Sequence, residues 1–133
     1  MTVFRLVVVL AVVYYCAQAL KTVSILGASG YTGAELTRIL INHPGVKLQV
    51  LTGDRSAGMP FRQIFPQFSH IKDLPILTKW EDSQKEIEKC DVAFCCLPHG
   101  TTQEIIKILA TNAPKMKVTS LSTIQICFFV YSI

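Results

Sequence analysis

Between Lys21 and Gly33 a short apolar run meets three evenly spaced glycines and then a helical pattern, and few architectures accept that order. Thr22-Val23-Ser24-Ile25-Leu26 has the length and β-branched content of a buried strand. In Gly27-Ala28-Ser29-Gly30-Tyr31-Thr32-Gly33 a glycine returns at every third position. Ala34 to Ile41 then places Leu36, Ile39 and Leu40 on one helical face. A chain that passes from strand to helix within so few residues needs positions without a Cβ, both for the turn and for the approach of a phosphate to the backbone. The first amides of the helix, at the positive end of its dipole, favour an anion there. Gly27, Ser29, Gly30, Tyr31, Thr32 and Gly33 are therefore candidate contacts for a dinucleotide pyrophosphate. The G-x-x-G-x-x-G spacing departs from the commoner G-x-G-x-x-G, and its place between strand and helix is what gives it meaning. A glycine-rich turn with no ligand is the competing reading.

The rest of the chain alternates in the same way. Asn42-His43-Pro44-Gly45 ends the helix, and Val46 to Leu51 reads as a second strand. Residues 53 to 73 contain breaks at Gly58, Pro60 and Pro66 and read as a long surface segment. Leu74 to Leu77 predicts a short strand, and Asp82 to Lys89 a charged helix capped by Ser83 or Asp82. Asp91 to Leu97 is nearly all apolar, as in a central parallel strand covered on both faces, and stops at Pro98-His99-Gly100. A helix is predicted from Thr101, with Thr101 and Glu104 as a capping box. Ile105, Ile106, Ile108 and Leu109 would be buried on it, with Gln103, Glu104 and Lys107 turned outward. Lys117 to Leu121 predicts one more strand. Alternating strands and helices imply an α/β fold, a Rossmann-type doubly wound and mainly parallel sheet, over residues 20–122 and incomplete at the C-terminus.

A length of 133 residues and a hydrophobic content of 50% suit one domain with a real core. The net charge of +4 is spread over scattered lysines such as Lys72, Lys79, Lys85, Lys89 and Lys107, so no nucleic-acid footprint is expected. The five cysteines, at 16, 90, 95, 96 and 127, have neither zinc-site spacing nor a disulfide framework, and read as thiols with no metal. Residues 1–19 conflict with that reduced picture. Arg5, the apolar run Leu6 to Tyr15 and Ala17-Gln18-Ala19 outline a secretory signal peptide, with a buried strand or a segment without a sorting role as alternatives.

Two further places bear on a dinucleotide. Asp54-Arg55-Ser56 follows the second strand, where an acid holds the ribose hydroxyls of NAD and a guanidinium beside a hydroxyl suits the phosphate of NADP. Arg55 and Ser56 favour NADP, with NAD as the alternative and a solvated surface pair of Asp54 and Arg55 as the competing reading. Leu97, Pro98 and His99 leave the carboxyl end of the buried strand, the edge where open α/β sheets bind ligands, and are placed near the nicotinamide, with a helix-cap or loop role as the alternative for His99. Cys95 and Cys96 are adjacent on a strand, so their side chains point to opposite faces and at most one could face the crevice. A catalytic role is assigned to neither.

Three segments together, Lys21 to Leu36, Thr52-Gly53-Asp54-Arg55-Ser56-Ala57-Gly58 and Phe94 to Glu104, resemble N-acetyl-gamma-glutamyl-phosphate reductase. The resemblance runs from about Lys21 to Leu121. It implies the NADP-binding domain of the semialdehyde dehydrogenase class, whose members reduce an acyl phosphate to an aldehyde in arginine biosynthesis. It also implies a mechanism in which a cysteine thiolate displaces phosphate and hydride from NADPH reduces the thioester. The family's Asn-Pro-Gly-Cys segment does not occur in this sequence, and residues 123–133 form a divergent apolar tail. No catalytic residue is carried over. The expectation is a cofactor-binding portion, truncated or alternatively spliced and inactive alone, with N-acetylglutamyl phosphate as a partner only alongside a catalytic domain. A non-catalytic dinucleotide-binding module and a non-functional fragment that self-associates through apolar edges such as Ile124 to Tyr131 are the alternatives. Family members work in the cytosol, mitochondria or plastids, whereas the leader points to secretory entry.

Overall fold

The computed structural model describes residues 20–121; the leader, the tail and the edges assigned to self-association lie outside them. Five strands, β1 (Lys21–Leu26), β2 (Val46–Thr52), β3 (Leu77–Thr78), β4 (Val92–Cys95) and β5 (Lys117–Ser120), form one sheet in the order β3-β2-β1-β4-β5. Every pairing is parallel. The helices are α1 (Tyr31–Leu40), α2 (Phe61–Ile64), α3 (Trp80–Ile87) and α4 (His99–Asn112), with 3-10 turns at Asp54–Ser56 and Pro66–Phe68.

Alternation along the strands divides the core between two faces. Val23 and Ile25 of β1 and Phe94 of β4 join Leu36 and Leu40 of α1, together with Phe61 and Phe68. Leu26, Ala93 and Cys95 point the other way, to Ile87 of α3 and to Ile105 and Leu109 of α4. A sheet whose central strands are apolar on both faces requires helices on both, which is the doubly wound arrangement. At the amino ends of β1 and β4, the Asp91 carboxylate accepts the Thr22 backbone N–H at 2.8 Å and the Thr22 hydroxyl at 2.9 Å. These bonds, with Lys21 nearby, hold the Asp91 carboxyl below its ordinary range.

Several sequence expectations need correction. The segment 53–73 is more than a surface loop, because it folds Phe61 and Phe68 into the core. Phe61, Phe65 and Phe68 form an aromatic cluster, with ring centroids 5.0 and 5.1 Å from Phe61. β3 is confined to Leu77–Thr78, and β4 stops at Cys95 rather than Leu97. α3 starts at Trp80, and Ser83 lies buried inside it, its hydroxyl donating to the Lys79 carbonyl at 2.7 Å. α4 begins at His99 with Pro98 before it, so Thr101 falls within the first turn and makes no cap. A proline's fixed φ suits the residue that hands a strand over to a helix, and it moves the start ahead of the capping-box pattern. Ile105 and Leu109 are buried as expected, Ile106 is half-buried, and Ile108 is 39% exposed on the flank of α4.

Candidate functional site

The glycine loop leaves β1 where the sheet's order reverses, between β2 on one side and β4 on the other. In open α/β sheets ligands bind at the carboxyl edge beside such a switch point. Gly27 takes φ +81, and a Cβ on it would stand 2.7 Å from the Cys96 carbonyl oxygen and 2.9 Å from Leu97 Cδ2. Both conformation and space require glycine there. At Gly33 the reason is space alone. A Cβ would run into the Gly27 carbonyl oxygen and lie 2.6 Å from Ala28 Cα, so only glycine lets α1 seat this closely on the loop. Gly30 precedes α1 in extended conformation and is exposed, leaving the backbone open to an approaching ligand.

Backbone bonds fix the loop. Gly30 donates to the Gly27 carbonyl at 3.1 Å, and Ala28 to the Thr52 carbonyl at 2.7 Å. The Gly27 N–H donates to the Thr52 hydroxyl at 3.1 Å. Ser29 and Thr32 are half-buried, whereas Tyr31 is 94% exposed at the start of α1. The first amides of α1 have no partner within the helix and supply the donors of an anion cradle.

Arg55 and Ser56 lie in the 3-10 turn directly after β2, Arg55 exposed and Ser56 half-buried. β3 pins this turn at both ends: Gly53 donates to the Thr78 carbonyl at 3.0 Å and Gly58 to the Leu77 carbonyl at 2.7 Å. Leu97 and Pro98 follow β4, with Leu97 half-buried against the glycine loop and Pro98 exposed. His99 opens α4. The structure thus gathers the loop, the Arg55 turn and the segment 97–99 at the carboxyl ends of β1, β2 and β4.

The sequence model of the family described as "Semialdehyde dehydrogenase, NAD binding domain" matches residues 22–124. The chain belongs to this family.

Among curated relatives of this semialdehyde dehydrogenase domain is the N-acetyl-gamma-glutamyl-phosphate reductase of Afipia carboxidovorans, 49% identical over 102 residues, which cover 77% of this chain and 29% of the relative. The probable chloroplastic N-acetyl-gamma-glutamyl-phosphate reductase of Oryza sativa subsp. japonica is 48% identical over 100 residues, covering 75% of this chain and 23% of its own length. The chain therefore spans about a quarter of the length of these relatives. A solved structure of aspartate semialdehyde dehydrogenase with NADP from Candida albicans shares the fold, with a TM-score of 0.62 and 22% identity over 80% of this chain and 31% of that one.

Sequence reasoning did not assign three residues to the candidate site. Thr52 and Gly53 join the glycine loop to the Arg55 turn, and Thr102 donates its hydroxyl to the Leu97 and Pro98 carbonyls at 2.9 and 3.0 Å. A hydroxyl residue followed by glycine at the end of β2 was the available signal for the first two. Nothing local marks Thr102, since its partners are set by where α4 starts.

Among the described residues the three thiols, Cys90, Cys95 and Cys96, are poor nucleophiles. Burial pushes Cys95 up to about 11, and burial with the neighbouring Cys95 pushes Cys96 up to about 12. Cys95, the last residue of β4, packs among α3 and α4, while Cys96 just after the strand packs against the opposite core. Burial raises Cys90 as well. Among the described residues no group of His, Cys, Asp and Glu is arranged to hold a metal.

Proposed function

We propose that this chain is the NADP-binding portion of an N-acetyl-gamma-glutamyl-phosphate reductase, the enzyme named for its relatives. One observation carries the reading: the glycine loop, Arg55 with Ser56, and Leu97 to His99 converge on a single sheet edge at the switch point. The loop fits the group, because Gly27 and Gly33 stand where a Cβ would strike the loop's surroundings and Gly30 is exposed at the start of α1.

The residues divide the work. The amides of Tyr31 and Thr32, beside Gly30, hold the pyrophosphate at the positive end of α1, and Ser29 lines the loop. Arg55 contributes a planar charged fork and Ser56 a hydroxyl to the phosphate on the adenosine ribose, which favours NADP over NAD. Leu97, Pro98 and His99 border the nicotinamide. When bound, a nicotinamide would supply the hydride that the family's reduction of an acyl phosphate needs. Burial raises Cys90, Cys95 and Cys96, which suits none of them to act as the thiolate of that reaction. The described residues orient the hydride donor, and their three thiols are not the nucleophile for chemistry on N-acetylglutamyl phosphate.

Titration of the full chain with NADPH and with NADH tests the reading. NADPH is expected to bind about tenfold or more tightly than NADH, as a charged hydrogen bond to the extra phosphate warrants. Absence of binding to either, or tighter binding of NADH, would sink it. An assay for phosphate-dependent NADP reduction with N-acetylglutamate semialdehyde is expected to show no turnover by the chain alone.

A further inference from the structure

Gly53 occupies a place where glycine is required by space rather than by conformation. Its backbone is extended, with φ −170 and ψ 97, a state open to any residue. A Cβ there would stand 2.7 Å from the Ser29 hydroxyl oxygen and 2.9 Å from the Ser29 Cβ, with Leu77 Cδ2 3.4 Å away. The Ser29 Cβ is fixed by the loop backbone. A methyl on residue 53 therefore displaces the loop itself and not merely the end of a flexible side chain.

Neighbouring bonds converge on the same junction. Thr52 holds the Gly27 and Ala28 amides on its hydroxyl and carbonyl oxygens at 3.1 and 2.7 Å. The Gly53 carbonyl accepts the Ser56 N–H at 3.0 Å, closing the turn that carries Arg55. The strand end thus touches the glycine loop on one side and starts the Arg55 turn on the other.

We propose that Gly53 is a positioning residue that sets the distance between the glycine loop and the Arg55 turn, and so determines whether one ligand can be gripped at its pyrophosphate and its ribose phosphate together. The ligand half of this statement rests on the dinucleotide reading above; the loop half does not.

The test is a cycle of four full-length chains: parent, Gly53→Ala, Ser29→Gly and the double variant. Each is measured for NADPH affinity and, without cofactor, for amide hydrogen exchange at residues 27–30. Gly53→Ala is expected to weaken NADPH by about tenfold in the parent background and by less than about twofold where Ser29 is glycine, since coupling of this size is ordinary for residues in contact. Loop exchange is expected to speed up in Gly53→Ala alone. A Gly53→Ala chain that fails to fold, yet folds once Ser29 is also glycine, supports the proposal equally. The same loss in both backgrounds overturns it by placing the effect at Leu77, and so does a Gly53→Ala chain with unchanged affinity and exchange. If the parent binds neither NADPH nor NADH, the cofactor reading fails and exchange alone decides: faster in Gly53→Ala and restored in the double variant supports the positioning role, and no change refutes it.

Discussion

The backbone N–H of Gly27 donates to the hydroxyl of Thr52 at 3.1 Å, so the first glycine of the loop is held by a side chain of the neighbouring strand. Thr52 is 3% exposed. Thr52→Val keeps the shape and leaves a buried donor without that acceptor, a loss of about 1–3 kcal/mol. Urea unfolding is expected to show a lower midpoint at unchanged slope; an unshifted midpoint would argue that the bond contributes nothing.

Gly33→Ala drives a methyl into the backbone of Gly27 and Ala28. Overpacking against backbone costs about 1–3 kcal/mol or more, because neither partner can rotate away. Thermal unfolding is expected to move down by several degrees or more. Retention of the parent melting temperature would contradict the close seating of α1.

Arg55→Ala removes the guanidinium from an exposed turn and should leave the fold intact. The expected result is a loss of about tenfold in NADPH affinity with NADH changed by less than about twofold, as for one charge-assisted bond made to the extra phosphate. Parallel losses for both cofactors would reassign Arg55 away from that phosphate.

Phe61 is 1% exposed and packs on Phe65 and Phe68. Phe61→Ala is expected to cost about 3–5 kcal/mol. Limited proteolysis should then cut between residues 53 and 73 before the rest of the chain, and resistance there would show that the aromatic cluster is not what anchors the segment.

The thiols give stability a pH dependence. Cys95 and Cys96 are raised in the folded chain to about 11 and about 12, whereas unfolded cysteines titrate near about 8.5. Their contribution is fully present below the unfolded value, where both states keep the proton. It is lost as pH rises toward the folded values, because the unfolded chain releases its protons first. Urea midpoints are expected to fall from pH 8 upward. A Cys95→Ala, Cys96→Ala variant should show a flatter fall, and identical slopes would contradict the shifts. Iodoacetamide at pH 8 should label neither thiol until urea is added.

The glycine loop was legible in the sequence because its constraints are local: a turn after a strand, a helix start, and positions without a Cβ, all within Gly27 to Gly33. The α/β class followed from alternating patterns for the same reason. The segment after β2 was hidden, since Pro60 and Pro66 read as breakers while the burial of Phe61, Phe65 and Phe68 depends on α1 and β1. Thr101 and Ser83 illustrate another limit. Each fits a local capping pattern, but α4 and α3 start earlier, where β4 and β3 deliver the chain. Within the candidate site, Thr52 and Gly53 act through partners distant in sequence, which no local pattern shows, whereas Thr102 bonds to residues four and five positions back only because α4 starts at His99.

β3 has two residues, and each accepts an amide from one end of the Arg55 turn: Thr78 from Gly53 and Leu77 from Gly58. Residues 54 to 57 are thus an insert clamped at both margins by an edge too short to recruit a foreign strand. Such an insert can be transplanted. On the NADP reading proposed above, exchanging those residues for an acidic stretch of equal length is expected to shift preference toward NADH, while the sheet's register and both faces of the core stay untouched.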